Sequence, residues 1–180
     1  ITNIQQIDNA HFFIGSEFGI HHAELKEESL RPLPCKELDK LKIQVSELYL
    51  HAPSKKLFIG AFQRGIFIYD MTSKKSIQPE SNLPDLNISR IRPFSEQELL
   101  IATNGAGVYK MNVDTYQRTP YILADYEQNN AMNGNNINDI YIDQAQRIWL
   151  ANYPIGITMR NDRYASYHWI KHAINNEQSL

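Results

Sequence analysis

The clearest pattern in the sequence consists of three segments: INDIYID at residues 137–143, RIWLAN at 147–152 and YPIGITM at 153–159. The first two are rich in Ile, Tyr, Trp and Leu and have the length of β-strands. A short polar turn separates them, and the bend YPIG contains Pro and Gly, which suit tight connections between antiparallel strands. The unit therefore predicts at least three short antiparallel strands.

The same order of features occurs three more times along the chain. A glycine opens each third strand, and these glycines at positions 19, 65, 107 and 156 are spaced by 46, 42 and 49 residues. Blades of β-propellers repeat every 40–50 residues or so. We predict an all-β fold, a β-propeller fragment of about four four-stranded antiparallel blades in a single domain 1–180, with blades at about 1–43, 44–86, 87–135 and 136–175.

Small residues mark the places where blades should approach closely. Each second strand has one small residue after its hydrophobic triplet, and these residues are Gly15, Gly60, Ala102 and Ala151. Both faces of each sheet carry apolar residues, as expected for a sheet that lies between two others. We also expect positive φ at the glycines that open the third strands.

The fourth, outer strand of each blade is less regular. Proline favours an edge position, because it cannot donate a ladder hydrogen bond. The segment 35–42 could form a helical turn, and we interpret it as a connection between blades. The predicted outer strands, the first three of which contain Pro32, Pro79 and Pro120, are Ser29–Leu33, Ser76–Pro79, Thr119–Leu123 and Ala165–Ile170.

The composition limits the possible partners. Hydrophobic residues make up 42% of the chain and charged residues 21%, with a formal net charge of -2 and no block of Lys or Arg. Nucleic acid and anionic membranes are therefore not expected as partners. The single cysteine, Cys35, cannot form an internal disulfide. No segment resembles a signal peptide or a membrane span, and both ends read as interior parts of a longer protein.

The clearest repeat resembles the two-component regulator propeller repeat. That motif runs roughly Asn-x-Ile-x-x-Ile-x-x-Asp, a turn, Leu-Trp-Ile-Gly-Thr and a glycine bend, and the matching residues are NNINDIYID at 135–143 and RIWLAN at 147–152. The other repeats place Phe13, Phe58 and Leu100 at the Trp position. The resemblance covers nearly the whole chain. It implies the periplasmic sensor region of a Bacteroides-type hybrid two-component histidine kinase, anchored in the inner membrane, that detects glycan breakdown products.

No residue pattern points to catalysis, a cofactor or a metal. His21 and His22 are adjacent, and on a strand they should point to opposite faces. Asp70, Asp114 and Asp143 each close a strand, and we interpret them as turn-capping residues rather than an acid–base pair. The segment 104–107 is similar to a phosphate-binding loop, but it precedes no helix.

One end of the blades is the predicted ligand-binding surface. The first strand begins, the second ends and the third begins at this end, and aromatic rings beside amides and an arginine could stack on a sugar and bind its hydroxyls. Bends are polar in any protein, so an ordinary surface role stays open. The predicted ligand-binding residues are Phe18, Gln63, Arg64, Asn104, Asn135 and Tyr153, and Glu17, Phe62, Asn87 and the loop 133–136 lie beside them.

Three functions remain open at this point. The favoured one is a non-catalytic sensor or binding module for an oligosaccharide. A propeller enzyme, either a lyase or a glycoside hydrolase, would need His and carboxylate groups that converge near the ring axis, and a protein-binding scaffold is the third possibility. An open arc would leave apolar blade faces bare in water. We therefore expect the remaining blades of the parent protein, or a second copy in a homo-oligomer, as partners.

Overall fold

The chain consists almost entirely of short strands. The computed structural model describes residues 1–80, 87–124, 132 and 134–161 in full, and residues 166–170 as backbone. One short helix, α1 (Lys36–Asp39), accompanies the strands in these residues. The strands are β1 (Asn3–Gln6), β2 (His11–Ser16), β3 (Gly19–Lys26), β4 (Ser29–Leu33), β5 (Val45–His51), β6 (Lys56–Ala61), β7 (Gly65–Asp70), β8 (Lys75–Ile77), β9 (Ile88–Pro93), β10 (Glu98–Thr103), β11 (Val108–Asn112), β12 (Arg118–Ile122), β13 (Ile137–Ile142), β14 (Ile148–Asn152), β15 (Gly156–Asn161) and β16 (Ser166–Ile170).

The strands form four antiparallel sheets of four strands each. Within each sheet the strands pair in sequence order, and the sheets are β1–β4, β5–β8, β9–β12 and β13–β16. We call these sheets blades 1 to 4. The first strands of successive blades pack against one another, which makes them the inner strands of an arc. The predicted all-β propeller fragment is confirmed.

The hydrophobic core lies between the blades rather than within one sheet. Phe13 of blade 1 packs with Val45 and Ile59 of blade 2 in one buried cluster. Two further clusters join blades 2 and 3 and blades 3 and 4. This arrangement explains why β6 reads as a nearly continuous apolar run, since a sheet covered on both faces needs apolar side chains on both.

The small residues of the second strands lie where the next blade comes closest. A Cβ atom built at Gly15 would lie 2.6 Å from Val45 Cγ1, and one at Gly60 would lie 3.0 Å from Ile88 Cγ2. The predicted close approach of neighbouring blades is therefore confirmed at both glycines. The bend glycines have positive φ as predicted, for example 75° at Gly65.

The outer strands agree with the prediction in part. β4 has the predicted limits, and β12 and β16 each differ from them by one residue. β8 is only three residues long, so Pro79 lies beyond it and the predicted edge role for this proline is wrong. Pro32 and Pro120 do lie in outer strands, and a register shift lies between Pro120 and Ile122. The connection 35–42 contains the single turn α1, whose Leu38 is fully buried.

Two of the three predicted aspartate caps are present. Asp70 Oδ1 accepts backbone N–H bonds from Thr72 at 2.7 Å and Ser73 at 3.1 Å. Asp143 accepts backbone N–H bonds from Ala145 and Arg147, and also the Trp149 indole N–H at 2.9 Å. The indole bond is the main reason why the pKa of Asp143 falls to about 2.

The prediction for Asp114 is wrong. In that turn Asn112 Oδ1 accepts the N–H groups of Asp114 and Thr115, while the Asp114 carboxylate pairs with Lys56 Nζ at 3.2 Å. The aspartates also occupy different places in their blades, because Asp70 ends a third strand and Asp143 follows a first strand. The counterpart of Asp143 in blade 1 is Asp8, which caps the turn after β1.

Candidate functional site

The bends between second and third strands all lie where the first strands begin. In blade 2, Ala61 at the end of β6 pairs with both Val45 and Gly65. Each of two bends also contacts the segment that leads into the next blade, since Gln63 donates its N–H to Asn87 Oδ1 at 3.0 Å and Gly105 donates its N–H to the Asn135 carbonyl at 3.1 Å. The four bends therefore share one end of the arc. We call residues 16–19, 62–65, 104–107 and 153–156 the bend end.

Three of the four bends present an exposed aromatic ring. Phe18 is 80% exposed in blade 1, Phe62 is 45% exposed in blade 2 and Tyr153 is 65% exposed in blade 4. Burial of large apolar rings normally stabilises a folded protein. Rings that stand out into solvent at one end of a domain are suited to stacking on a ligand, and the tyrosine hydroxyl adds a hydrogen-bonding group.

Polar side chains lie beside these rings. Gln63 and Asn104 are exposed, and the guanidinium of Arg64 lies 5.5 Å from the centre of the Phe67 ring. The backbone of Asn104 is held by its N–H bond to the Asn87 carbonyl at 2.9 Å. The bend end can therefore offer amide and guanidinium donors next to aromatic faces.

Asn135 is different from the other predicted site residues. Its carbonyl accepts N–H bonds from Gly105 and Gly107, and its Oδ1 accepts the N–H of Ala124 at 2.7 Å. These bonds hold the blade 3 bend against the segment that leads into blade 4, so much of the polar capacity of Asn135 is used within the protein. Asn133, which the predicted surface also included, lies outside the described residues.

A charged cluster on the inner strands was missed by the sequence analysis. Asn3, Glu47, Arg90 and Asp139 pair across their sheets with Gly15, Gly60, Ala102 and Ala151 respectively, so they occupy the same position in the four blades. Together with Arg92 we call them the inner-strand network. Successive blades 2, 3 and 4 carry negative, positive and negative charge at one repeat position, and this alternation is the signal that could have revealed the network.

Hydrogen bonds link the members from blade to blade. Asn3 Nδ2 donates to Glu47 Oε2 at 2.9 Å, and Arg92 NH1 donates to Glu47 Oε1 at 2.6 Å. Arg90 Nε then donates to Asp139 Oδ1 at 3.0 Å. Four blades are thereby connected through side chains near the inner edge of the arc.

Glu47 is the buried member of the network. The residue is only 3% exposed, whereas the side chains of Arg90 and Arg92 are about one-third exposed. Burial raises the pKa of Glu47, and the hydrogen bond and charge of Arg92 oppose that rise. The guanidinium groups that face Glu47 therefore stabilise the charged form of its buried carboxylate.

The histidines do not form a metal site with other described residues. His22 packs its ring 5.2 Å from that of Phe13, whereas His21 is exposed, so the two side chains lie on opposite faces of β3 as predicted. Within the described ranges, no three His, Cys, Asp or Glu side chains come together as possible metal ligands. The described residues contain no helix that is long and apolar enough to cross a membrane.

Solved structures of bacterial proteins share this arrangement of blades. The extracellular domain of BT4673 from B. thetaiotaomicron matches 99% of this chain with a TM-score of 0.74 and 17% sequence identity. The fold is the same. The extracellular domain of BT3049, assigned to the hybrid two-component systems of the same organism, matches 94% of the chain with a TM-score of 0.71 and 12% identity.

A third similar structure is PorZ, a surface component of the type IX secretion system of Porphyromonas gingivalis. It matches 97% of the chain with a TM-score of 0.62 and 12% identity. The chain spans less than a quarter of the length of each of these three structures. No model of a known protein family matches the sequence, and no curated protein matches it.

Proposed function

We propose that the chain is a non-catalytic, ligand-binding part of a periplasmic sensor region in a two-component signalling protein. The observation that carries this proposal is the likeness in fold, over 94–99% of the chain, to extracellular domains that include one assigned to the hybrid two-component systems. The repeat NNINDIYID with RIWLAN supports the same assignment. On this proposal the parent protein is a histidine kinase anchored in the inner membrane.

We propose further that the ligand is derived from a glycan and binds at the bend end. Phe18, Phe62 and Tyr153 supply exposed rings there, and Gln63 and Arg64 supply hydrogen-bond donors. Sugar rings have apolar C–H faces and a rim of hydroxyls, so they suit a surface that combines aromatic rings with amide and guanidinium groups.

The enzyme alternative is less well supported by the geometry. Glu47 and Asp139 are carboxylates on inner strands, where a propeller active site would be expected. Each of them forms hydrogen bonds or ion pairs with Arg90 and Arg92. A general acid or base needs a proton that can move to and from a substrate, and carboxylates engaged by arginine favour a structural role.

The double variant Arg64→Ala/Tyr153→Ala is expected to weaken oligosaccharide binding by about tenfold or more, because it removes a charged donor and a stacking ring. Isothermal titration calorimetry of the chain against a panel of oligosaccharides from different glycans measures this effect. The control is Tyr141→Ala, since Tyr141 is 64% exposed and Tyr153 65%, but Tyr141 lies on an inner strand of blade 4 away from the bends. Equal weakening in both variants would contradict a site at the bend end.

We propose that further blades of the parent protein cover the outward faces of blades 1 and 4. On blade 1, Ile4 is 58% exposed and Leu30 is 53% exposed, on the face opposite to the one that carries Phe13. On blade 4, Tyr141 lies opposite Trp149 across the sheet. The short span of this chain relative to the similar structures supports blades of the same protein as the natural occupant.

In the absence of those blades, the chain is expected to associate with itself through the same faces. Analytical ultracentrifugation at rising concentration should show dimers or larger species, and Ile4→Lys/Leu30→Lys should shift the chain toward monomer, because charge on both positions disfavours burial. A matched surface variant is Lys26→Glu, which changes charge on blade 1 at a polar position. A wild-type chain that stays strictly monomeric at high concentration would contradict the proposed exposure of apolar faces.

A further inference from the structure

A groove between blades 1 and 2 lies at the opposite end from the bends. Asp8, Met71 and Lys74 in the turns at that end line it, and the helix α1 borders it. Its volume is about 770 Å³, within the roughly 300–1,000 Å³ typical of small-molecule sites. The groove shares no residue with the bend end, so it is a separate candidate site.

Aromatic side chains form the floor of the groove. Phe13 is 2% exposed and Tyr69 is 6% exposed, and their ring centres lie 6.2 Å apart with the rings nearly perpendicular. The His22 ring lies 5.2 Å from Phe13 on the same side. Leu33 and Met71 complete an apolar lining. Such walls favour a flat, apolar ring as the occupant.

The hydroxyl of Tyr69 is the main polar group on this floor. Its oxygen accepts a hydrogen bond from the Cys35 thiol at 3.4 Å, which leaves the phenol proton available for an acceptor on a ligand. Burial raises the pKa of Tyr69, so the phenol keeps its proton at neutral pH. A nearly buried O–H group thus points to a ligand that carries an oxygen acceptor.

The acidic side chains of the groove are already satisfied within the protein. Asp8 accepts N–H bonds from Ala10 and His11 and pairs with the His11 ring at 2.9 Å. Glu37 accepts the Ser76 hydroxyl at 2.9 Å and pairs with Lys40 at 3.2 Å. Much of the hydrogen-bonding capacity of these carboxylates is therefore used within the protein.

The lysine side chains of the groove, in contrast, have no such partners among the described residues. The exposed side chains of Lys36 and Lys74 line the groove, and no carboxylate of a described residue lies within 4 Å of either ammonium group. Two cations and one phenol donor of the groove are thus available to a ligand. All three would interact favourably with an anion.

We propose that this groove binds a small aromatic carboxylate. Its ring lies against Phe13 and Tyr69, and its carboxylate accepts the Tyr69 O–H and faces Lys36 and Lys74. The proposal does not depend on the glycan ligand at the bend end. It names a second class of ligand, and neither the fold nor the repeat pattern predicts it.

Calorimetric titration with trans-cinnamate, trans-cinnamamide and hexanoate tests the two parts of the recognition. Cinnamate is expected to bind, cinnamamide to bind about tenfold more weakly for want of the charge, and hexanoate about tenfold more weakly for want of the ring. Failure of cinnamate to bind at millimolar concentration, or equal binding of the amide, would overturn the proposal.

Variants locate the binding in the groove. Tyr69→Phe removes the phenol donor and is expected to weaken cinnamate binding by about tenfold. The matched control is Tyr109→Phe, since Tyr109 is also 6% exposed but lies in blade 3. Equal loss in the two variants would overturn the assigned site.

A second variant keeps the test valid if Tyr69→Phe folds poorly. Lys36→Gln/Lys74→Gln changes only exposed side chains and is expected to weaken cinnamate binding about fivefold at low salt, with a smaller effect at high salt. Unchanged affinity at low salt would overturn the role of the two cations. Arg64→Ala/Tyr153→Ala should bind cinnamate normally, so failure of the bend-end proposal and failure of this one are distinguishable.

Discussion

Replacing Arg92 with methionine is expected to lower the free energy of unfolding by about 3 kcal/mol. The substitution removes the shortest hydrogen bond of Glu47, at 2.6 Å, while the carboxylate stays 3% exposed. Loss of one partner from a buried ion pair costs about 3–5 kcal/mol, and the lower end applies because Asn3 and Arg90 still face Glu47. Urea unfolding followed by circular dichroism measures the change.

Two comparisons separate this effect from the loss of an arginine in general. Arg31→Met removes a surface pair with Glu27 at 3.8 Å, both side chains more than half exposed, and is expected to cost less than about 1 kcal/mol. Arg92→Met in a Glu47→Gln background should cost less than half of its effect alone, because no buried charge is left unpaired. Additive costs in this double-mutant cycle would contradict the network.

The loss of unfolding free energy caused by Arg92→Met is also expected to be smaller in acid. Because burial raises the pKa of Glu47 in the folded chain above its ordinary value of 4.5, the contribution of Glu47 to stability is full below that pH and is lost as the pH rises through the folded-state pKa. Loss of Arg92 raises that pKa further. The free energies of unfolding of variant and wild type should therefore differ less at about pH 4 than at about pH 7.

Gly15→Val is expected to destabilise the chain by about 2–3 kcal/mol. A Cβ atom at this position would already lie 2.6 Å from Val45 Cγ1, and Val45 is 1% exposed in the core between blades 1 and 2. A β-branched residue in a strand would ordinarily be favourable compared with glycine. A loss of stability would therefore report the close approach of the blades and not strand propensity.

Ala151→Val is the matched control for Gly15→Val. Ala151 occupies the same position in blade 4, but its side of the sheet faces away from blade 3. The expected cost is below about 1 kcal/mol, since no described blade packs against that face. If Gly15→Val does not fold, Gly15→Ala gives the same comparison with a smaller change. Equal costs at positions 15 and 151 would contradict the proposed blade packing.

Much of the fold can be predicted from the sequence because its signals are local. Strand length, the apolar runs of β6 and β10 and the glycine of each bend follow from a few adjacent residues. Prediction was weaker for the outer strands, where β8 has three residues and Asn112 rather than Asp114 caps the turn. Short polar edge segments carry little hydrophobic pattern, and either of two nearby polar side chains can cap a turn.

The candidate site residues were likewise predictable only where the signal is local. The common location of the bends follows from antiparallel pairing within each blade, so Phe18, Arg64 and Tyr153 could be placed at one end from the sequence. Their role in ligand binding stays a prediction. The structural role of Asn135 was not predictable, because its three hydrogen-bond partners lie in the blade 3 bend, at Gly105 and Gly107, and just after β12, at Ala124.

The residue pattern alone predicts repeated four-stranded sheets with close contacts at their second strands, because strand length and residue size act within one repeat. The inner-strand network and the groove between blades 1 and 2 form only when the blades pack together. Glu47 and Arg92 are 45 residues apart, and Phe13 and Tyr69 belong to different sheets. Such pairs meet only once the twist and stacking of the blades fix which side chains face each other across the gap between sheets.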